Sequence, residues 1–155
     1  VAGGEGPDPA VPVVRVDHVG VAVADLDAVV GLLSGLFGLE VRHRERNEEQ
    51  GVDEVVLRAP GSPDHATGVQ LVAPSWDGSP VARFLGRRGP GLHHLALTVS
   101  DIDTAVSELH RRGVRVLTDG PRPGTAGSRI TFVHPHDAGG VLVELVEPPG
   151  GSSPA

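Results

Sequence analysis

The sequence predicts an α+β fold: two βαβββ modules that share one curved, eight-stranded mixed sheet, with a cleft on its concave side. Three observations lead there. First, the chain repeats itself. Asp17-His18-Val19-Gly20-Val21 with Asp25-Leu26-Asp27 returns as His93-His94-Leu95-Ala96-Leu97 with Asp101-Ile102-Asp103. His18 and His94 stand 76 residues apart, as do Asp25 and Asp101, and Leu33 and Leu109. A repeat of this length means two copies of one supersecondary unit packed about a pseudo-twofold axis. Second, each copy reads as strand, Asp-capped helix, helix-ending glycine and further strands. Third, four polar residues (His18, Gln70, His94 and Glu144) stand inside otherwise apolar strands, one on the first and one on the last strand of each half.

The elements follow in order. Residues 13–23 are β-branched and bounded by Pro12 and Asp25, which predicts a strand. Asp25 is a helix N-cap, and Leu26, Val29, Val30, Leu33, Leu36 and Phe37 fall on one helical face. Gly38 ends the helix as a left-handed cap. Strands are expected over 39–46, 51–59 and 67–73, with the turn Pro60-Gly61-Ser62-Pro63-Asp64 between the last two. Residues 80–88 suit a short helix or turn, and Gly89-Pro90-Gly91 punctuates the chain. In the second copy, strands are expected over 93–99, 114–118, 128–134 and 141–147. A helix runs from Asp101 to Arg112, Gly113 ends it, and a Gly/Pro-rich loop covers 119–127. The domain therefore spans 13–147, with modules of about 13–88 and 89–147, and residues 1–12 and 148–155 are expected to be flexible ends.

Composition narrows the function. At 155 residues and 39% hydrophobic content the chain suits one compact domain. A net charge of −7 argues against a nucleic-acid partner, which would need a clustered basic excess. There is no cysteine, lysine, methionine or tyrosine. Thiol nucleophiles, Schiff-base lysines and tyrosine acids are thereby excluded. No apolar run is long enough for a spanning helix, so no membrane partner is expected, and no leader is visible, so the expected location is the cytoplasm.

The four strand-embedded polar residues carry the chemistry. A lone buried glutamate is costly unless it is paired, hydrogen-bonded or bound to a metal. Two imidazoles, one carboxylate and one amide oxygen make an N2O2 set for a divalent transition metal, with positions left open. His18, Gln70, His94 and Glu144 are therefore the candidate ligands. His93 is placed on the opposite face by strand alternation and is given a structural role. His134 and His136 match no partner in register, and Arg83, Arg87 and Arg88 read as a solvated face. Glu54 alternates with Val56 and Arg58 on one face of its strand, and from pattern alone an exposed charge and a catalytic one are equal readings.

The chain resembles the methylmalonyl-CoA epimerases, a family of the vicinal oxygen chelate (glyoxalase-like) superfamily. The resemblance covers roughly residues 14–147. Its most specific stretches are Asn47-Glu48-Glu49-Gln50-Gly51-Val52, Pro80-Val81-Ala82-Arg83-Phe84-Leu85 and Gly127-Ser128-Arg129-Ile130-Thr131-Phe132. The resemblance implies the ligand set His18, Gln70, His94 and Glu144, with cobalt(II) the common metal. It implies Glu54 as acid/base, Glu144 as a second proton-handling group, and a homodimer acting on an acyl-CoA. Ser128 and Arg129 are expected to help hold the substrate carboxylate. The implied reaction interconverts (2R)- and (2S)-methylmalonyl-CoA by removing and returning the α-proton, through an enolate whose charge the metal stabilises. One alternative is another metalloenzyme of the superfamily acting on a related acyl-CoA or thioester. The extradiol dioxygenases typically use a tyrosine, which is absent here, and glyoxalase I usually has a glutamate where this chain has Gln70. The other alternative is a small-molecule-binding protein of the same fold, which typically lacks the metal tetrad.

Overall fold

The computed structural model describes residues 8–150. Residues 1–7 and 151–155, most of the expected flexible ends, lie outside the described residues. The first module comprises β1 (Val13–Ala22), α1 (Leu26–Phe37), β2 (Glu40–Asn47), β3 (Val52–Arg58), β4 (Gly68–Pro74) and α2 (Pro80–Arg88). The second comprises β5 (Gly91–Val99), α3 (Ile102–Arg111), β6 (Arg122–Pro123), β7 (Arg129–Val133) and β8 (Val143–Glu147). Together the strands form one curled eight-stranded mixed sheet in the order β2-β3-β4-β1-β5-β8-β7-β6. The order is symmetric about the antiparallel β1–β5 pair, and β1–β4 and β5–β8 are both parallel. No described helix is long and apolar enough to cross a membrane.

Local signals explain the helices. The Asp25 side chain accepts from the Ala28 backbone N–H, and Asp101 does the same for Thr104. Each cap satisfies one orphan donor of a first turn. Ser79 caps α2, with Pro80 in its first turn. Gly38 closes α1 at φ 69°, a left-handed conformation that glycine adopts without a Cβ penalty.

Alternation along the strands gives the sheet two buried faces. On one face α1 packs, with Leu26 buried, over Val23, Val55, Leu57 and Leu71. On the same face of the second module, α3 packs through Ile102 and Ala105 over Val99, Val133 and Leu145. The opposite face carries Ala22, Val52 and Val72 beneath Val81, Phe84 and Leu85 of α2, and Ala96, Ile130 and Val146 beside Phe132. Full burial of a side chain such as Leu57, Leu71 or Ile130 contributes about 1.5–3 kcal/mol each.

Two local expectations are corrected. Leu36 and Phe37 do not reach the core. The last turn of α1 runs past the cluster formed by Val29, Val30 and Leu33, and both residues are exposed. The strand expected over 114–118 is reduced to a single bridge, Val116 to Val133. The edge of the second module is instead β6, two residues inside the expected loop, pairing Arg122 with Ile130 and Pro123 with Arg129. Pro123 has no N–H to donate, which suits an edge strand and limits its length.

Candidate metal and acid–base site

His18 on β1 and His94 on β5 meet at the centre of the sheet, where the two modules join. His18 pairs with Ala96 in register and His94 with Gly20. Glu144 comes from β8, opposite Ala96. His18 Nε2 lies 3.1 Å from His94 Nε2 and 3.1 Å from Glu144 Oε2, and His94 Nε2 lies 3.4 Å from the same oxygen. The three side chains are 5%, 7% and 5% exposed. Gly20 makes the approach feasible: a Cβ there would stand 2.0 Å from His94 Cε1. The imidazole occupies the space that any other residue would fill.

The outer nitrogens of both rings are held by the preceding residue, and the register shows how. Between Val16 and His18, and again between Gly20 and Val21, the β1–β5 ladder slips by one. Asp17 and His93 are the extra residues. Such a bulge breaks strict alternation. This corrects the placement of His93 on the opposite face. Its ring turns to His94, with Nδ1 to Nδ1 at 2.9 Å, and packs edge-on against Phe84. In the matched position Asp17 Oδ1 lies 2.9 Å from His18 Nδ1, and Asp17 is itself braced by Thr98 and Arg15. With Nδ1 of each ring engaged on the outside, Nε2 is the ring nitrogen that faces inward. Burial and the neighbouring His94 push His93 down to about 4, so at neutral pH it is an uncharged acceptor for the His94 N–H.

Protonation follows from this packing. Burial acts to lower the His18 pKa, but the Asp17 hydrogen bond and the Glu144 carboxylate carry it up to about 9. Against the effect of burial, the two imidazoles hold Glu144 well below the usual carboxylate range. Without an ion, the cluster therefore keeps a proton.

The cluster has the composition and spacing of a divalent-metal site. Ligands at about 2.0–2.2 Å from one ion lie about 2.8–3.6 Å from each other for right-angled to tetrahedral geometry. The three measured separations fall in that range. Glu144 Oε2 is buried and has no hydrogen-bond partner of acceptable geometry, a costly state that an ion would relieve. The outer carboxylate–imidazole contact is the arrangement usual for metal-ligating histidine.

Gln70 on β4 and Glu54 on β3 lie on the same face as the cluster. Gln70 Nε2 donates to Glu54 Oε2 at 3.1 Å and to Thr125 Oγ1 at 2.9 Å. Both amide hydrogens are thus committed, which leaves the Gln70 carbonyl oxygen for another partner. Thr125 Oγ1 in turn donates to Glu54 Oε1 at 2.7 Å. Glu54 is 2% exposed. Burial pushes its carboxyl up to about 8; the Thr125 bond opposes this, and the Glu45 and Glu144 carboxylates reinforce it. A cavity of about 300 Å³ opens beside the site, lined by Glu49, Gln50, Thr118, Arg122, Ile130 and Phe132. A larger open groove between the start of α1 and β2–β3 touches Glu45 but none of the cluster.

The structure therefore brings together His18, His94, Glu144, Gln70 and Glu54. Ser128 is buried with an unpartnered hydroxyl, against Gly124 and away from the cluster's hydrogen bonds. Arg129 is not brought to the site: it pairs with Asp103 of α3 and with Glu147 at the surface. Sequence reasoning missed Thr125, Glu45 and Gly20. Only Gly20 had a signal, a glycine two residues after a strand histidine.

Known proteins share this sequence and fold. The Glyoxalase/Bleomycin resistance protein/Dioxygenase superfamily matches residues 17–132. The ethylmalonyl-CoA/methylmalonyl-CoA epimerase of Cereibacter sphaeroides is 36% identical over 133 residues, covering 84% of this chain and 96% of that protein. The crystal structure of methylmalonyl-CoA epimerase from Mycobacterium tuberculosis superposes with a TM-score of 0.82 at 48% identity, covering 88% of this chain and 89% of the other. A methylmalonyl-CoA epimerase in complex with methylmalonyl-CoA and NH4+ superposes with a TM-score of 0.86 at 44% identity, covering 92% of this chain and all of the other.

Proposed function

The chain belongs to the Glyoxalase/Bleomycin resistance protein/Dioxygenase superfamily, and we infer that it is an isomerase that interconverts the two epimers of methylmalonyl-CoA. The observation that carries this reading is the buried Glu54 carboxyl, held beside the His18–His94–Glu144 cluster in a chain so similar to enzymes of that activity.

The reaction removes the proton from the carbon between a thioester and a carboxylate and returns one to the opposite face. Glu54 is the base. An ordinary glutamate, with a pKa of about 4.3, is poorly matched to a carbon acid. Burial raises Glu54 to about 8, nearer the operating pH and more basic once ionised. Thr125 Oγ1 and Gln70 Nε2 each donate to one of its oxygens and fix the carboxylate in place. The C–H electron pair moves into the acyl group, and the proton goes to a Glu54 oxygen. Glu144, lying across the cleft on β8, is the second proton-handling group in this proposal. His18, Gln70, His94 and Glu144 are proposed to hold a divalent ion, cobalt(II) being the metal expected. Such an ion supplies Lewis-acid stabilisation of the negative charge that develops on the thioester oxygen. Buried Ile130 and partly buried Phe132 form apolar walls on the face that carries Glu54 and the cluster. A homodimer belongs to the same proposal, and sedimentation of the purified protein tests it.

Proton NMR of methylmalonyl-CoA with the protein in deuterated water tests the reaction. The C2 proton signal should disappear, and a chelator should stop its loss. A persistent signal with metal-replete protein would overturn the assignment. Ethylmalonyl-CoA, run beside it, reports the acyl selectivity.

A further inference from the structure

Glu45 on β2 stands directly opposite Glu54 in the β2–β3 register, and its carboxylate helps push the Glu54 carboxyl up. Its Oε2 also lies 2.5 Å from His43 Nε2. Across the cleft, the Ala126 backbone N–H points at both Glu45 oxygens, at 3.4 and 3.3 Å. Ala126 sits in the 3₁₀ turn Thr125–Gly127 at φ 54°, ψ 36°. It is the one non-glycine residue with positive φ among the described residues, in a conformation that L side chains rarely adopt. Such a conformation persists when the surroundings hold it. The next residue back, Thr125, is the one whose hydroxyl holds both Glu54 and Gln70.

We propose that Glu45, oriented by His43, is a positioning residue: a strut that fixes the Glu54 carboxyl from its own module and pins the Thr125–Gly127 turn of the other module against it. The proposal rests on the reading of Glu54 as the proton-transferring group. Glu45 bears on Glu54 twice, once as its cross-strand neighbour and once through the turn that presents Thr125. A simple surface pair with His43 would require neither the place opposite Glu54 nor the bond to Ala126. The strut also joins the two modules at their open edge, where the sheet supplies no strand pairing between β2 and β6.

The test compares Glu45→Ala and Glu45→Gln with the wild-type chain by steady-state epimerisation and by amide hydrogen exchange at Ala126. In Glu45→Ala, kcat should fall by about a hundredfold, the scale of a misplaced catalytic group, with KM changed by less than about threefold. Exchange at Ala126 should quicken in the same variant. Glutamine, whose amide oxygen can accept from Ala126 and whose N–H can donate to Glu54, should restore most of both. A Glu45→Ala variant with wild-type kcat overturns the proposal, whether or not exchange changes. So does a loss that Glu45→Gln fails to restore. If the wild-type chain does not epimerise methylmalonyl-CoA, the functional reading falls, and exchange at Ala126 alone decides whether Glu45 holds the turn.

Discussion

Replacing Gly20 with alanine should dismantle the metal site without touching a ligand. The new Cβ would lie 2.0 Å from His94 Cε1, 2.2 Å from Nδ1 and 2.5 Å from Nε2. Non-bonded carbon atoms sit at about 3.5–4.0 Å, so the ring must retreat by about 1.5 Å or more. Ligand distances in a metal site hold to about ±0.2 Å. The displacement exceeds that tolerance several-fold, and His94 ceases to be a ligand. Loss of an outer-shell partner alone costs about 10–100-fold in metal affinity, so Gly20→Ala should lose at least that much. Overpacking adds about 1–3 kcal/mol of destabilisation. Gly31 is the control: it lies in α1, and a Cβ there meets nothing within 4 Å. Gly31→Ala should stabilise the helix by up to about 1 kcal/mol and leave the metal site unchanged. Titration calorimetry of the metal-free proteins with cobalt(II), with thermal unfolding alongside, reads both quantities. Wild-type cobalt affinity in Gly20→Ala would refute the claim that this glycine exists to seat the imidazole.

Glu54→Gln should keep its metal and its fold while α-proton exchange falls by about 10²–10⁴-fold; unchanged exchange removes Glu54 from the mechanism. Metal affinity should depend on pH with a definite sign. The His18 pKa is raised to about 9, so at lower pH an incoming ion must displace a proton. Affinity should rise about tenfold per pH unit until about pH 9 and then level off, and calorimetry in buffers of different ionisation enthalpy should count about one proton released; zero released would contradict the assigned protonation. Gln70→Glu should bind the ion more tightly but exchange the α-proton more than about tenfold slower, because a like charge replaces the N–H that now supports Glu54. A wild-type exchange rate in that variant would show that the Gln70–Glu54 contact is dispensable.

The central strands were legible because polar residues inside apolar runs are conspicuous and the repeat matched them in pairs. His18 with His94 and Gln70 with Glu144 needed no knowledge of the sheet. The contacts around them were less legible. The bulges at Asp17 and His93 violate the alternation from which faces are read, so His93 was assigned to the wrong side. Glu45 meets Glu54 only through the β2–β3 register, which the turn between the strands sets and which composition does not reveal. Thr125 lies in a Gly/Pro-rich loop where no periodicity exists to place a side chain. β6 is two residues long, below the length at which alternation can be recognised. Leu36 and Phe37 satisfied the helical period, but the period does not say where the sheet beneath the helix ends.

Where the two modules differ, the difference has a chemical sense. Gln70 faces Val56 on its neighbouring strand, and Glu144 faces Phe132 at the matching place. Two residues along, Glu54 lies opposite Val72, and its counterpart Ile130 lies opposite Val146. Duplication alone would give two carboxylates around the ion and two more in the cleft. Two ligand carboxylates with two neutral imidazoles would cancel the charge of a divalent ion. One carboxylate and one amide leave the set with a net positive charge, which attracts negative charge developing on a bound thioester, and does so strongly where water is excluded. A second cleft carboxylate in place of Ile130 would share a low-dielectric space with Glu54. Mutual repulsion would keep one of the two protonated. In the proposed site the asymmetric pairs Gln70–Glu144 and Glu54–Ile130 would thus keep a bound ion electrophilic and leave one buried base free to titrate. The symmetric pair His18–His94 would supply the two nitrogen ligands, one from each half.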